Sequence, residues 1–188
     1  MHKMAKKKAA FEMSVGAIVT VVLSVTLLVG GIFLINKIIS SSTSVVDLTD
    51  QQLRNEINKL FSEDSKISVY PGTRLIEIKQ ATTDGVGVGI RNLLTGSSSN
   101  KTFSYTVTVS DADLNTKCGI DEQTAEGWIV TGRAEDNVPI PSGDFSTQKV
   151  VFEIPIGAPL CTIRYRINVN AAGVAYATDF FDMKVLPK

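Results

Sequence analysis

The sequence predicts a mainly β protein with one N-terminal transmembrane helix, a short amphipathic helix and then an antiparallel β-sandwich of about seven strands. Three observations predict this fold class. An apolar run near the N-terminus carries no charge, the hydrophobic period changes from 3.6 to 2 residues at Ile67, and turn-forming residues recur from there onward. The length of 188 residues fits one globular domain with an additional segment.

The apolar run extends from Ser14 to Ile35 and contains 22 residues without a charge. At a rise of about 1.5 Å per residue it spans about 33 Å, enough to cross a hydrocarbon core of about 30 Å. A cleavable secretory signal has an apolar core of only about 7–15 residues and a small-residue exit site. This run is longer and lacks such a site, so we expect a retained transmembrane helix over residues 14–36.

Charge around this run predicts its orientation. Four lysines precede the run and one follows it: Lys3, Lys6, Lys7, Lys8 and Lys37. Because basic residues stay on the cytoplasmic side, residues 1–13 are predicted to be a cytoplasmic tip of a single-pass cell-membrane protein whose body is extracytoplasmic. From residue 38 onward the chain has 14 basic and 18 acidic residues, a net charge of −4, which argues against nucleic acid as a partner.

Two features of the run concern its contacts. Gly16, Thr20 and Ser24 recur every fourth residue and form a stripe of small side chains, a pattern that lets two helices approach closely. The stripe predicts self-association, although small residues are also common in membrane helices generally. Glu12 precedes the run, where its carboxylate can reach headgroup water or Lys8, or pair with the N-terminus of a neighbouring subunit.

The segment "FEMSVGAIVTVVL", preceded by lysines and alanines, resembles the N-terminus of archaeal type IV pilin-like and class III-signal membrane proteins. The resemblance implies a peptidase cut before the apolar helix and bundling of the helices into a filament. A cut after Ala10 would make Phe11 the new terminus. The acid would then be the second residue and not the fifth, and no glycine precedes the cut, so an uncut anchor is favoured.

Residues 37–47 are predicted to be a polar linker, and residues 48–62 an amphipathic helix. Thr49 fits an N-cap with Gln52 as its capping-box partner. Leu53, Ile57, Leu60 and Phe61 form one apolar stripe. A helix of about 12 residues is marginal alone in water, so its stripe must pack on the β-domain, the membrane surface or another copy.

Residues 65–188 are predicted to form the sandwich, because apolar and polar residues alternate along them. Candidate strands cover residues 74–79, 86–92, 102–110, 128–131, 150–156, 161–169 and 176–186. The predicted core contains the aromatic residues Phe103, Tyr105, Trp128, Phe152, Tyr165 and Phe181, with Trp128 alternatively an exposed binding residue. The "GVGVG" run, residues 85–89, leaves one strand face bare and favours close approach of a neighbouring backbone.

The order of these elements, with "YPGTRLIEIKQATTDGVGVGIRNLL" followed by a loop and "FSYTV", resembles immunoglobulin-like domains of prokaryotic surface proteins. The resemblance covers residues 65–188 and rests on the spacing of strands. It implies an immunoglobulin-like sandwich and no particular chemistry, since many functions share this fold.

The body contains two cysteines, Cys118 and Cys161. Outside the cytoplasm they can oxidise, and a bridge between them would close about 43 residues, worth roughly 4 kcal/mol in the chain-entropy model. The sequence therefore predicts a disulfide; two reduced, buried thiols are the alternative.

Other candidate sites are weaker. Asn100 begins the glycosylation sequon Asn100-Lys101-Thr102 in a polar loop. Four acidic residues near Cys118 are weak candidates for a calcium site, without the spacing of a helix-loop-helix calcium loop: Asp111, Asp113, Asp121 and Glu122. A solvated acidic loop is the simpler interpretation of these four.

No nucleophile, base and orienting group can be assembled from the sequence, so we expect neither an enzyme nor a cofactor. The leading hypothesis is a membrane-anchored cell-envelope protein that presents its sandwich for structural or adhesive interaction. Its expected partners are membrane lipid, other envelope proteins and a second copy through the transmembrane helix. A pilin-like filament subunit is the alternative, and an accessory module that binds an ion or glycan is a second one.

Overall fold

Two units make up the chain, Met1–Ser42 and Thr43–Lys188. The computed structural model describes residues 16–33, 44–96 and 101–188. In the first unit these residues form helix α1 (Gly16–Phe33), which is long and apolar enough to cross a membrane. None of α1 is buried within the chain, so its apolar surface is available to another phase or another molecule.

The second unit is a sandwich-like arrangement of two sheets. Its nine described strands are β1 (Ile67–Tyr70), β2 (Leu75–Lys79), β3 (Thr83–Arg91), β4 (Thr102–Val109), β5 (Ile129–Thr131), β6 (Ala134–Pro139), β7 (Phe145–Glu153), β8 (Thr162–Ala171) and β9 (Val174–Leu186). One sheet has the order β1-β3-β7-β5 and the other β2-β9-β8-β4-β6. The fold class predicted from the sequence is confirmed, with nine strands and not seven.

The two additional strands have patterns that alternation does not detect. Three of the four residues of β1 are buried, and β6 is exposed at four consecutive positions. The residues "EDN", whose composition is typical of a turn, lie inside β6, where Asn137 adopts a positive φ of 58°. The pairing of β2 with β9 is parallel, so the expectation of a wholly antiparallel sandwich is wrong at this edge.

Alternation predicted the core well. Every second residue of β4 and of β8 is buried, and all six predicted core aromatics lie in one cluster between the sheets. Trp128 is only 7% exposed, which excludes an exposed binding role for it. Ile156 is the last residue of the candidate strand 150–156, but it is 78% exposed. The strand has already ended at Glu153, before Pro155.

Two short helices, α3 (Leu114–Cys118) and α4 (Glu122–Gly127), connect β4 to β5. Neither is long enough to show a helical period in the sequence. The buried hydroxyl of Tyr165 donates to the Ala125 carbonyl oxygen at 2.9 Å and so ties α4 to β8. Burial is the main reason that the pKa of Tyr165 is raised, with the nearby Glu126 charge contributing.

The amphipathic helix is α2 (Asp50–Leu60), and it packs on the β-domain. Its N-terminus forms the predicted capping box between Thr49 and Gln52. Leu53 and Ile57 are fully buried, whereas Leu60 remains 39% exposed. The residues before it, predicted as linker up to residue 47, form a 3₁₀ turn (Val45–Asp47) that already belongs to the second unit.

Glycines on the outer face of β3 make room for α2. Val86, Val88 and Ile90 point into the core, so Gly87 and Gly89 face outward beneath the helix. A Cβ on Gly87 would overlap Leu53, and one on Gly89 would overlap Ile57 and meet the Phe61 ring at 2.9 Å. The predicted close approach is therefore made by helix side chains at these two positions; at Gly85 it is made by the Val150 backbone.

Polar contacts hold α2 at its margins. Arg54 donates to the Phe145 carbonyl oxygen and to Asp144, both at 2.7 Å, and its guanidinium lies over the Phe145 ring. Lys149 donates to the Leu48 carbonyl oxygen at 2.6 Å. These groups come from β7 and the loop before it, whereas Gly87 and Gly89 belong to β3. Helix α2 is therefore bound across two neighbouring strands.

We predict that Gly89→Ala destabilises the second unit by about 1–3 kcal/mol, the usual cost of overpacking. The added methyl group collides with Ile57 and Phe61, which are held by their own packing. Urea-induced unfolding of the full chain in detergent measures this difference in stability. Hydrogen exchange should also become faster in residues 50–60.

The matched control is Gly127→Ala, where a Cβ meets nothing within 4 Å. It should change stability by no more than about 0.5 kcal/mol. Equal stability of the two variants would show that α2 does not depend on the bare strand face.

Candidate functional site

Helix α1 satisfies its own polar groups. Thr20 donates to the Gly16 carbonyl oxygen at 2.9 Å, Ser24 to Thr20 at 2.8 Å, and Thr26 to Val22 at 2.8 Å. Such bonds remove the cost of placing a hydroxyl in an apolar medium. The stripe of Gly16, Thr20 and Ser24 therefore presents a small, internally satisfied surface, and its self-association stays a prediction.

The predicted disulfide between Cys118 and Cys161 is present, with a Cα–Cα distance of 5.7 Å. Cys118 is the last residue of α3, and Cys161 directly precedes β8. Gly119, with a positive φ of 68°, ends the helix and turns the chain away. The bridge fixes the α3–α4 connection to the start of a central strand of the larger sheet.

The four acidic candidates do not assemble into a cation site. Asp111 binds Lys117 at 3.1 Å, and Asp113 lies 3.9 Å from the same ammonium group. Asp121 caps α4, and its pKa is lowered because Thr124 donates to it. Glu122 is the first residue of that helix. Across residues 16–33, 44–96 and 101–188, no group of three or more His, Cys, Asp or Glu side chains is placed to hold a metal.

A polar cleft opens on the outer face of the larger sheet, beside the disulfide. It encloses about 480 Å³ and is lined by Ser110, Asp111, Lys117, Thr162, Arg164 and Asp182. Arg164 forms two bonds with Asp182, at 2.8 and 2.9 Å, and the pKa of Arg164 is raised by these bonds. The charges are thus already paired within the cleft, which leaves hydroxyl groups and ion pairs to contact a polar ligand.

Next to this cleft lies an aromatic surface that sequence reasoning missed. Phe180 is 38% exposed and lies between two guanidinium groups, Arg164 at 4.4 Å and Arg74 at 5.6 Å from its ring centre. Leu75, on the neighbouring edge strand, is also exposed. Aromatic residues and arginines are enriched in protein interfaces. Phe181 was predicted to lie in the core, but nothing in the sequence indicates that Arg74 and Arg164 flank the ring of Phe180.

A smaller cleft of about 280 Å³ lies at the other end of the same sheet, where Ser104, Asp136 and Gly173 are among its lining residues. Asn100, the candidate glycosylation site, lies outside the described residues, as do Glu12 and the peptidase cut that the pilin-like resemblance implies. The structure therefore adds nothing to those three predictions.

Comparison with known proteins identifies no relative. No family model matches the chain, and no curated protein matches it. Among solved structures it is similar to a family 123 glycoside hydrolase from Clostridium perfringens, with a TM-score of 0.37 and 11% identity, over 73% of this chain and 24% of that one. It is also similar to the DNA-bound alkylpurine DNA glycosylase AlkC of Pseudomonas fluorescens, with a TM-score of 0.27 and 8% identity, over 72% and 35% of the two chains.

The chain spans about a quarter and about a third of the length of these two proteins. At such TM-scores neither likeness bears on function. The proposal below therefore rests on the chain's own residues.

We predict that replacing both cysteines by serine, Cys118→Ser with Cys161→Ser, lowers the free energy of unfolding by roughly 4 kcal/mol, because the bridge closes a loop with a sequence separation of 43 residues. Urea unfolding with and without reductant measures this difference. Reductant should destabilise the wild-type protein and leave the double variant unchanged. Two free thiols in native protein, found by mass analysis without reductant, would contradict the assignment.

Proposed function

We propose that the protein is a non-enzymatic, single-pass membrane protein that holds a β-sandwich outside the cytoplasm for structural or adhesive interaction. The observation that carries the proposal is α1, an apolar helix of 18 residues with none of its length buried in the chain. Exposing this much apolar surface to water would be costly at roughly 25 cal/mol per Å². A lipid bilayer removes that cost.

Two further observations support the extracytoplasmic placement. Four lysines precede the apolar run and one follows it, a charge bias that keeps the N-terminus in the cytoplasm. The Cys118–Cys161 disulfide fits an oxidising compartment, where such bonds persist. Both support the same proposed orientation, with residues 44–188 on the outer side.

The outer face of the larger sheet is the surface that we assign to interaction. Phe180 with its two flanking arginines offers an apolar and cationic contact, and the adjoining cleft offers hydroxyl groups and paired charges. Envelope proteins and glycans are the partners that such a mixed surface fits. Its lysine and arginine side chains are already paired with carboxylates, which favours binding over catalysis.

A pilin-like filament subunit is the second candidate, and it is favoured by the same exposed helix. In this alternative the apolar surface of α1 is covered by α1 helices of other copies, and the small stripe at Gly16, Thr20 and Ser24 lies at their contacts. The sandwich would then decorate the filament. Processing before Phe11 distinguishes this function from that of an uncut anchor.

Membrane extraction of the full chain tests the proposal. We expect the protein to stay with membranes through an alkaline carbonate wash and to be released by detergent. Protease added outside intact cells should digest the sandwich. Recovery of the full chain as a compact monomer in the detergent-free soluble fraction would overturn the membrane assignment.

The variant Leu23→Arg with Leu27→Arg should lose stable anchoring, since each charge at a helix centre costs about 2.5–3.5 kcal/mol on insertion scales. Leu23→Val with Leu27→Val is the matched control and should remain anchored. Intact-mass measurement of native protein then separates the two candidates. Loss of the first ten or so residues, together with filaments, would replace the anchor by the pilin-like function.

A further inference from the structure

The loop between β7 and β8 exposes two large apolar side chains. Residues 155–160 read Pro-Ile-Gly-Ala-Pro-Leu and carry no charge. Ile156 is 78% exposed and Leu160 is 59% exposed. We call these six residues the apolar tip. Contiguous exposed apolar patches mark sites of contact with proteins or membranes.

The tip is held in shape by its own bonds, so these side chains cannot turn inward. The Gln80 side-chain amide donates to the Ala158 carbonyl oxygen at 2.6 Å, and the Cys161 amide donates to Pro159 at 3.0 Å. Ala158 itself is buried in the core cluster. The disulfide at Cys161 fixes the end of the loop, which leaves Ile156 and Leu160 on its outside.

The tip lies at the end of the sandwich where the chain arrives from the apolar segment. Ser44 and the Val45 amide both donate to one carboxylate oxygen of Asp84, at 2.7 and 3.1 Å. Asp84 lies opposite Phe152 in the β3–β7 ladder, and Ile154, just before the tip, bonds to the turn that precedes β3. Ser44 and the tip therefore share one end of the second unit.

The chain length between the membrane segment and Ser44 limits how far that end can lie from lipid. The uncharged run ends at Ile35, nine residues before Ser44. Fully extended, nine residues span about 30 Å, which is the greatest distance that they can bridge. If the run spans a bilayer, Ser44 can therefore lie at most about 30 Å from the end of that run.

We propose that the apolar tip inserts into the interfacial layer of the same membrane, with Ile156 and Leu160 as the inserted residues. This inference rests on the proposed function, since it requires an anchor in lipid. Lys79 and Glu153, both exposed near the tip, have opposite charges. Apolar contact and not lipid charge drives the insertion, so a zwitterionic membrane suffices. The tether bounds the distance from lipid in every copy of the chain, so lipid is the occupant that we assign to the tip.

Tryptophan fluorescence of the full chain in phosphatidylcholine vesicles tests this assignment. The protein has one tryptophan, Trp128, which is buried and gives the background signal. Ile156→Trp and Leu160→Trp report on the tip, and Phe33→Trp reports on the anchor. Val174→Trp is the matched control, because Val174 is 65% exposed and pairs with Ala171 at the far end of β8, about 30 Å away.

Lipid carrying a nitroxide close to the headgroup end of an acyl chain should quench both tip reporters about twofold more than Val174→Trp, as expected for side chains about 5–10 Å below the surface. Quenching of Phe33→Trp without quenching of either tip reporter would overturn the proposed insertion of the tip and leave the proposed membrane anchor standing. Absence of quenching in Phe33→Trp would overturn the proposed membrane anchor, and the insertion of the tip with it. Tip reporters shielded from aqueous iodide but not quenched by lipid would assign the tip to a protein contact and likewise overturn the proposal.

Discussion

The absence of side chains at Gly87 and Gly89 is the constraint on which the arrangement of the second unit depends. These two positions give α2 a place on the outer face of β3, where Leu53 and Ile57 become fully buried. Without that place a helix of 11 residues would be marginal in water. With α2 seated there, Ser44 and Val45 lie beside Asp84 at one end of the sandwich.

Much of this fold could be predicted from the sequence, because hydrophobic periodicity depends only on residues that are close together in the chain. Alternation in β4 and β8 was sufficient to identify both strands and their buried faces. The capping box at Thr49 and Gln52 marked where α2 begins. Strand direction is not a local property, and so the parallel pairing of β2 with β9 was not foreseen. The same holds for β6, where four consecutive exposed residues show no alternation.

The side-chain contacts on the outer face of the larger sheet could not be predicted from the sequence, for a different reason. Its contacts join residues far apart in the chain: Arg74 pairs with Asp179, and Lys184 with Glu77. A charge that looks free in the sequence is often neutralised by a strand over 100 positions away. Burial of Phe181 was predicted from the sequence, but only the three-dimensional arrangement shows that Phe180 emerges between two arginines.

The seating of residues 44–61 has a consequence for tension. They rest on one outer sheet face and contribute no strand to either sheet, so a pull along the tether acts first on the two bonds to Asp84 and then on α2. Detaching this segment would release about 60 Å of chain at full extension while both sheets remained folded. The chain can thus lengthen under force by releasing residues 44–61 from the sheet face, before either sheet unfolds.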